Sequence, residues 1–333
     1  MKKNFKKRLK KKLKKLLKKK LNHLCPPKPP PPVDCDVLAY VANNGDSTVS
    51  VIDTVSNTVI ATIPLGSGTT GPIGVAITPD GTRAYVTNIN LSTVSVIDTA
   101  TNTVIATIPV AGFPVIIAIT PDGTRAYVTN AITDLVSVID TATNTVIATI
   151  PVGDNPLGLA ITPDGTRAYI TNALDNTVSV IDTATNTVIA TIPVGTRPYR
   201  VAITPDGTRA YVTNLFNNTV SVINTATNTV IATIPVGSQP IGVAITPDGT
   251  RAYVANTGNG TVSVINTATN TVIATIPVGS LEEVAITPDG TRAYVTNIGA
   301  NTVSVIDTAT NTVIDTIPVG SAPRGIAIGT VCQ

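Results

Sequence analysis

The sequence is poor in the side chains on which most enzyme active sites depend. It contains no tryptophan, three phenylalanines and one histidine, His23, so residues 37–333 contain no imidazole at all. Imidazole is the usual general base near neutral pH and a common ligand of zinc and haem iron. No EF-hand spacing of carboxylates occurs either. We therefore expect neither a metal site nor a cofactor, and a haem oxidoreductase is disfavoured.

Long apolar runs are missing as well. No stretch has the length of a transmembrane helix, and the N-terminus lacks the unbroken apolar core of a signal peptide. The residues before Cys25 also differ from the small-residue pattern that precedes a lipidated cysteine. These absences leave a cytoplasmic location open.

A repeat dominates what is present. The eleven residues TPDGTRAYVTN (78–88) recur with few changes, and a Tyr-(Val/Ile)-x-Asn signature occurs seven times, beginning at Tyr40, Tyr85, Tyr127, Tyr169, Tyr211, Tyr253 and Tyr294. Each unit contains four short runs rich in Val, Ile and Thr that are separated by Gly, Pro, Asn and Asp, which is typical of strands joined by tight turns. Four strands per period of about forty residues predict a propeller blade. The fold class is therefore all-β, a seven-bladed β-propeller of four-stranded antiparallel blades.

The turns of the repeat have residues that suit them. The PDG sequence predicts a tight hairpin between the first and second strands, because Pro presets φ, Asp binds its own backbone and Gly adopts a left-handed conformation. We expect Asn at positive φ both at the end of the second strand and in the TNT turn. Because the acids of the PDG turn and of the third-strand end occupy the same place in each blade, their role is interpreted as structural.

The first and last repeats are incomplete in a complementary way. Residues 37–43 begin at a second strand, and the missing first strand is found as PRGIAI at 323–328, so the C-terminal strand should join the N-terminal blade and close the ring. Alignment with a complete blade places Cys35 and Cys332 level with neighbouring residues of a PDG turn. We expect a disulfide between them; the alternative is two reduced thiols in a cytosolic protein. Cys25 is left unpaired.

The YVTN, VSVIDT and PDG sequences over residues 37–331 resemble the YVTN family of β-propeller repeats. That resemblance implies a surface-layer or other cell-surface protein, and therefore a cell-surface or extracellular location. Propeller lactonases are similar in repeat shape, but no matching catalytic constellation is found in this sequence. Since propellers carry many unrelated activities, function has to be argued from a site.

Charge divides the chain. Residues 1–36 contain fourteen Lys/Arg and two Asp, whereas residues 37–333 contain nine Arg and eighteen Asp/Glu. The interpretation is a basic amphipathic arm at 1–24, a Pro-rich linker at 25–36 and an acidic propeller at 37–333. The apolar residues of the arm fall on one stripe of a helix: Phe5, Leu9, Leu13, Leu16, Leu17, Leu21 and Leu24.

Three roles are open for this arm. Its leucine stripe favours binding to an anionic membrane or wall polymer. A disordered, solubilising tail is the alternative. Nucleic acid is a third partner, which the lack of interleaved aromatic residues makes less favoured.

Comparison of the copies locates the residues that depart from the repeat. The PDG and TNT turns, on one face of the ring, hardly vary, whereas the links between blades and the loops after YVTN, on the opposite face, do vary. We call the latter the variable face. The departures that suit recognition lie on it, near the channel mouth: Arg197, Tyr199, Arg200, Glu282, Glu283, Arg324, Phe113 and Phe216.

Two function classes follow. The favoured one is a non-enzymatic binding or structural propeller, monomeric in itself, that recognises a protein or glycan on the variable face. The alternative is an enzyme with three arginines as anion clamps and Glu282 or Glu283 as the acid or base, and it requires these side chains to converge. Loop drift without function is the third explanation. In the binding interpretation, Tyr199 and Arg200 can be replaced by Ala without loss of stability.

Overall fold

The computed structural model describes residues 6–8, 10–15, 35–66 and 68–332. The chain divides into two compact units, Met1–Asp34 and Cys35–Gln333. In the first unit, residues 6–8 and 10–15 are helical, and Leu13 is exposed. The other residues of the predicted leucine stripe, His23, Cys25 and the Pro-rich linker up to residue 34 lie outside the described residues. Within the described part of the chain, no helix is both long and apolar enough to span a membrane.

Within the second unit, the described residues form seven four-stranded antiparallel sheets, which are the blades of a propeller. Blade 1 contains, from the centre outward, β28 (Pro323–Cys332), β1 (Cys35–Asn43), β2 (Thr48–Asp53) and β3 (Thr58–Pro64). Six blades follow along the chain: blade 2 with β4 (Pro72–Ile77), β5 (Arg83–Asn88), β6 (Thr93–Asp98) and β7 (Thr103–Pro109); blade 3 with β8 (Pro114–Ile119), β9 (Arg125–Asn130), β10 (Leu135–Asp140) and β11 (Thr145–Pro151); blade 4 with β12 (Pro156–Ile161), β13 (Arg167–Asn172), β14 (Thr177–Asp182) and β15 (Thr187–Pro193); blade 5 with β16 (Pro198–Ile203), β17 (Arg209–Asn214), β18 (Thr219–Asn224) and β19 (Thr229–Pro235); blade 6 with β20 (Pro240–Ile245), β21 (Arg251–Asn256), β22 (Thr261–Asn266) and β23 (Thr271–Pro277); blade 7 with β24 (Leu281–Ile286), β25 (Arg292–Asn297), β26 (Thr302–Asp307) and β27 (Thr312–Pro318). The predicted fold class is confirmed.

The core lies between neighbouring blades, because each sheet is apolar on both faces. A representative layer combines residues of blade 2 with residues of blade 3: Tyr85, Val94, Val96, Ile108, Ile117, Ala126, Val128 and Ile139. Burial of β-branched side chains on both faces explains why the strands alternate so little in polarity.

The signature tyrosine connects each blade to the next. The Tyr85 hydroxyl donates a hydrogen bond to Asn144 Oδ1 of blade 3 at 2.8 Å. Between blade 7 and blade 1, Tyr294 donates to Asn57 Oδ1 at 2.6 Å, so the same bond also joins the last blade to the first. Burial raises the pKa of Tyr40 to about 12, which keeps such a phenol protonated and able to donate.

The signature threonine forms a second connection between blades. Thr87 donates to the Val115 carbonyl of the next innermost strand at 2.9 Å. Blade 6 has Ala255 at this position, and Thr257, two residues later, donates to the Leu281 carbonyl at 2.6 Å instead. Repetition of the signature therefore reflects repeated contacts between blades.

The turn residues follow the prediction in two of three places. In the PDG turn, Asp80 Oδ1 accepts the Thr82 amide at 3.0 Å, and in the TNT turn Asn102 has φ of 53°. The expectation for Asn at the end of the second strand is wrong. Asn88 stays in the strand, is buried and donates to Ser95 Oγ at 2.9 Å. A side-chain bond between adjacent strands, rather than a turn conformation, accounts for this asparagine.

The strand pair that closes the ring, β28 with β1, is longer than the other strand pairs, and we call it the seam. β28 pairs with β1 as predicted, and Cys35 lies directly opposite Cys332 at the end of the ladder. The two cysteines form a disulfide with a sequence separation of 297, which confirms the predicted pair. Both strands continue through the positions that form a PDG turn in complete blades, so the cysteines are cross-strand neighbours and not turn residues.

Candidate functional site

The innermost strands of the seven blades surround the central channel, and their register against the second strands shifts between their first and fourth residues. From blade 2 to blade 1 the third residues of these strands are glycine and a larger side chain in turn, so that only blades 1 and 2 are neighbours with glycine in both: Gly74, Ile116, Gly158, Arg200, Gly242, Glu283 and Gly325. A Cβ atom on Gly158 would lie 2.4 Å from the Tyr199 carbonyl oxygen, and one on Gly325 would lie 2.0 Å from that of Ile73. Glycine is therefore required where one innermost strand approaches the next.

The two polar members of this ring form a buried ion pair. Arg200 Nε lies 2.6 Å from Glu283 Oε2, and Arg200 is 5% exposed. Arg200 belongs to blade 5 and Glu283 to blade 7, so the pair passes the blade between them, where Gly242 leaves room: its Cβ would be 3.0 Å from Glu283 Oε1. Burial raises the pKa of Glu283, and the charge of Arg200 opposes that rise.

A second ion pair lies beside the first. Arg324 Nη1 of blade 1 is 3.1 Å from Glu282 Oε1 of blade 7, and 31% of the Arg324 side chain is exposed, against 7% for Glu282. Arg324 and Glu282 both come from the second position of their innermost strands. Each carboxylate of the mouth is thus paired with an arginine.

Tyr199 completes a five-residue group, which we call the mouth cluster, with Arg200, Glu282, Glu283 and Arg324. The guanidinium carbon of Arg200 lies 4.9 Å from the centroid of the Tyr199 ring. Burial raises the pKa of Tyr199; the two arginines lower it and the two carboxylates raise it, so all four charges act on this phenol.

The other three predicted residues make different contacts, although Tyr199 packs against the same apolar cluster as Phe113. Arg197 packs on the ring of Phe216, with its guanidinium carbon 5.3 Å from the ring centroid, and Phe216 is exposed. Phe113 packs against an apolar cluster at the mouth formed by blades 2 to 4: Ile73, Val115, Ala131, Leu157 and Ala173. The mouth is therefore apolar on one side and charged on the other. The repeat alignment already contained the signal for this asymmetry in the second and third residues of the innermost strands.

The mouth arginines retain hydrogen-bonding capacity. Among the described residues, the buried side-chain nitrogens without a partner are Arg197 Nε, Arg200 Nη1 and Arg324 Nε. The described residues contain no group of three or more His, Cys, Asp and Glu side chains placed to hold a metal ion.

The opposite face has cavities that repeat with the blades. A cavity of about 470 Å³ between blades 2 and 3 is lined by Pro79, Asp80, Asp122 and Thr141, among others, and one of about 490 Å³ lies at the equivalent place between blades 4 and 5. The carboxylates here are engaged in their own turns, since Thr120 and Thr124 both donate to Asp122. These hydrogen bonds lower the pKa of Asp122, as expected for structural acids.

Comparison with known proteins agrees with this architecture. A family model described as YNCE-like beta-propeller matches residues 107–214. No curated protein matches the chain in sequence.

Three solved structures show the same fold at low identity. Hydrazine synthase of Kuenenia stuttgartiensis is 24% identical with a TM-score of 0.71, over 79% of this chain and 96% of that one. A protein of unknown function from Desulfotomaculum acetoxidans is 23% identical with a TM-score of 0.77, over 87% and 98%. A protein of Bacteroides uniformis, provisionally described as a 6-phosphogluconolactonase, is 17% identical with a TM-score of 0.74, over 88% and 100%. The chain is a seven-bladed β-propeller repeat protein.

Proposed function

We propose that the chain is a non-enzymatic binding propeller of the YVTN type that recognises a partner or ligand at the mouth of its channel on the variable face. One observation carries this proposal: residues that depart from the repeat gather in the mouth cluster, where both carboxylates are paired with arginines. The enzyme alternative requires five side chains to converge, and four of them do: Arg200, Arg324, Glu282 and Glu283. The fifth, Arg197, packs on Phe216. Both carboxylates already contact an arginine side chain instead of facing an open position for a substrate, whereas Arg and Tyr are favoured at recognition sites.

A ligand screen tests this proposal. Tyr199→Leu removes the phenol and restores the residue that blade 4 has at this position, Leu157. We expect carboxylates, phosphates, saccharides or short peptides that raise the melting temperature of the full chain to lose that effect in this variant. The control is Pro79→Ala, in the cavity of the opposite face. Hits that are lost in the control and retained in Tyr199→Leu would contradict the proposal, and turnover of a hit would favour the enzyme alternative.

Arg200 is unsuitable for this test. It is buried and paired with Glu283, so its replacement by Ala leaves a buried carboxylate without a partner. The expectation that Arg200 can be replaced without loss of stability is corrected for that reason.

The basic arm is proposed to hold the propeller on an anionic membrane or wall polymer at the cell surface. Support comes from thirteen Lys/Arg and no acid in residues 1–24, against an acidic body. Removal of residues 1–24 should abolish binding to vesicles of anionic lipid at low salt. The folding control is an unchanged melting temperature, and vesicle binding by the truncated chain would refute the tether.

A further inference from the structure

The loops of the variable face are apolar and exposed on one side of the ring only. Four consecutive blades, 2 to 5, present large hydrophobic side chains in the loop after the second strand, which are between 54% and 70% exposed: Leu91, Ile132, Leu174 and Phe216. We call these four residues the crest. At the position of Ile132, Leu174 and Phe216, the loops of blades 6, 7 and 1 have glycine: Gly258, Gly299 and Gly45. The crest is therefore a one-sided feature and not a property of the repeat.

The charge beside the crest is negative. Asp154 and Asp175 are both exposed, and the Asp154 amide donates to Asp175 Oδ2 at 2.8 Å. The Leu174 amide in turn donates to the Asp154 backbone carbonyl at 3.3 Å, so both Asp154 and Asp175 belong to backbone that adjoins Leu174. A cavity of about 500 Å³ beside this loop is lined by Asp175, by the apolar Val152 and Val188, and by polar side chains that include Thr177 and Ser179. A cationic side chain with an apolar stem matches such a cavity.

We propose that the crest docks a basic amphipathic helix of a partner protein. The apolar stripe of that helix would cover Ile132, Leu174 and Phe216, and its Lys or Arg residues would lie against Asp154 and Asp175. Arg197, the one cation among the described residues of these loops, is already packed on Phe216. An anionic membrane is the less favoured occupant, because these carboxylates would face it. This inference rests on the proposed role of the variable face and specifies the partner chemistry.

The repeat provides variants that preserve the loops. Asn90 occupies in blade 2 the position of Ile132 and Leu174, so Ile132→Asn and Leu174→Asn introduce a residue that this loop already accommodates. Asn217 occupies in blade 5 the position of Asp175 and accepts the equivalent amide, so Asp175→Asn removes the charge and keeps the hydrogen bond.

The probe is a fluorescent 18-residue helical peptide of Leu and Lys, titrated against the full chain by anisotropy. The double variant Ile132→Asn/Leu174→Asn should raise its Kd at least tenfold, and Asp175→Asn should raise it about threefold at low salt and less at high salt. Ile147→Asn/Ile189→Asn, on outer strands with both isoleucines 49% exposed, should leave the Kd unchanged. A scrambled peptide of equal composition should bind at least tenfold more weakly to the unsubstituted protein.

Three outcomes would overturn the proposal. The first is that the helical and scrambled peptides bind the unsubstituted protein equally well. The second is that the outer-strand control loses as much peptide affinity as the crest variant. The third is that the crest variant loses binding to anionic vesicles but keeps its affinity for the peptide. The result is separable from that at the mouth, because Tyr199→Leu lies outside the crest. A peptide Kd that responds to the crest variant alone supports the crest even if the mouth screen fails.

Discussion

Removal of the Cys35–Cys332 disulfide should destabilise the ring, because this bond links the two ends of the propeller chain. The bond closes a loop with a sequence separation of 297, for which the chain-entropy relation gives about 5–6 kcal/mol. Strand pairing between β28 and β1 remains after reduction, so the native structure should persist. The expected loss in the free energy of unfolding is therefore about 3–5 kcal/mol, which lowers the melting temperature by about 5–8 °C.

Guanidinium unfolding of Cys35→Ser/Cys332→Ser measures this loss directly. The cross-link compacts the unfolded chain, so its removal should lower the midpoint and also raise the m-value. The matched control is Cys25→Ser, outside the propeller, which should change neither quantity. An unchanged midpoint in the double variant, or an equal fall in the control, would refute the argument that the disulfide stabilises the seam.

Three further predictions concern the channel wall and the turns. Gly158→Ala places a Cβ 2.4 Å from a carbonyl oxygen of the next innermost strand and should reduce the free energy of unfolding by about 1–3 kcal/mol. The control Gly112→Ala, whose Cβ would meet only a methyl group at 3.5 Å, should change it by less than about 0.5 kcal/mol. Similar losses in both variants would contradict the close approach of the strands. Arg200→Ile alone should lower the free energy of unfolding by about 3–5 kcal/mol. Addition of Glu283→Ile should recover part of that loss, because the second substitution removes the unpaired carboxylate. A double variant less stable than Arg200→Ile would argue against a buried ion pair. Hydrogen bonds from neighbouring Thr side chains and amides lower the pKa values of the PDG-turn carboxylates. Their contribution to stability should therefore be complete above the unfolded-state pKa of about 4 and should be lost as the pH falls through the lower folded values. Thermal unfolding between pH 2 and 6 checks this, and stability that rises on acidification would contradict it.

The fold was predictable from the sequence because the repeat encodes contacts between successive blades. Tyr85 and its six counterparts mark blades because each phenol bonds to an asparagine of the next blade. The seam was predictable for the same reason, since PRGIAI at 323–328 is the strand that the first blade lacks. A local pattern suffices when every unit makes the same contacts.

The details that failed depend on partners that are not visible locally. Asn88 resembles a turn residue in isolation, but its amide bonds to Ser95 across a strand pair. Arg200 and Glu283 are 83 residues apart, and their contact requires both the closed ring and a glycine in the blade between them. Departures from the repeat mark Arg200 and Glu283 in the sequence, and only the three-dimensional arrangement shows that their charges neutralise each other.

Hydrogen exchange in the presence of a ligand found by the screen tests most directly the claim that the variable face recognises a partner. We predict slower exchange of amides in residues 196–200, 281–283 and 321–324, which surround the mouth cluster, and no change in the PDG turns of the opposite face. Protection confined to the PDG turns, with unchanged exchange around the mouth, would contradict the account.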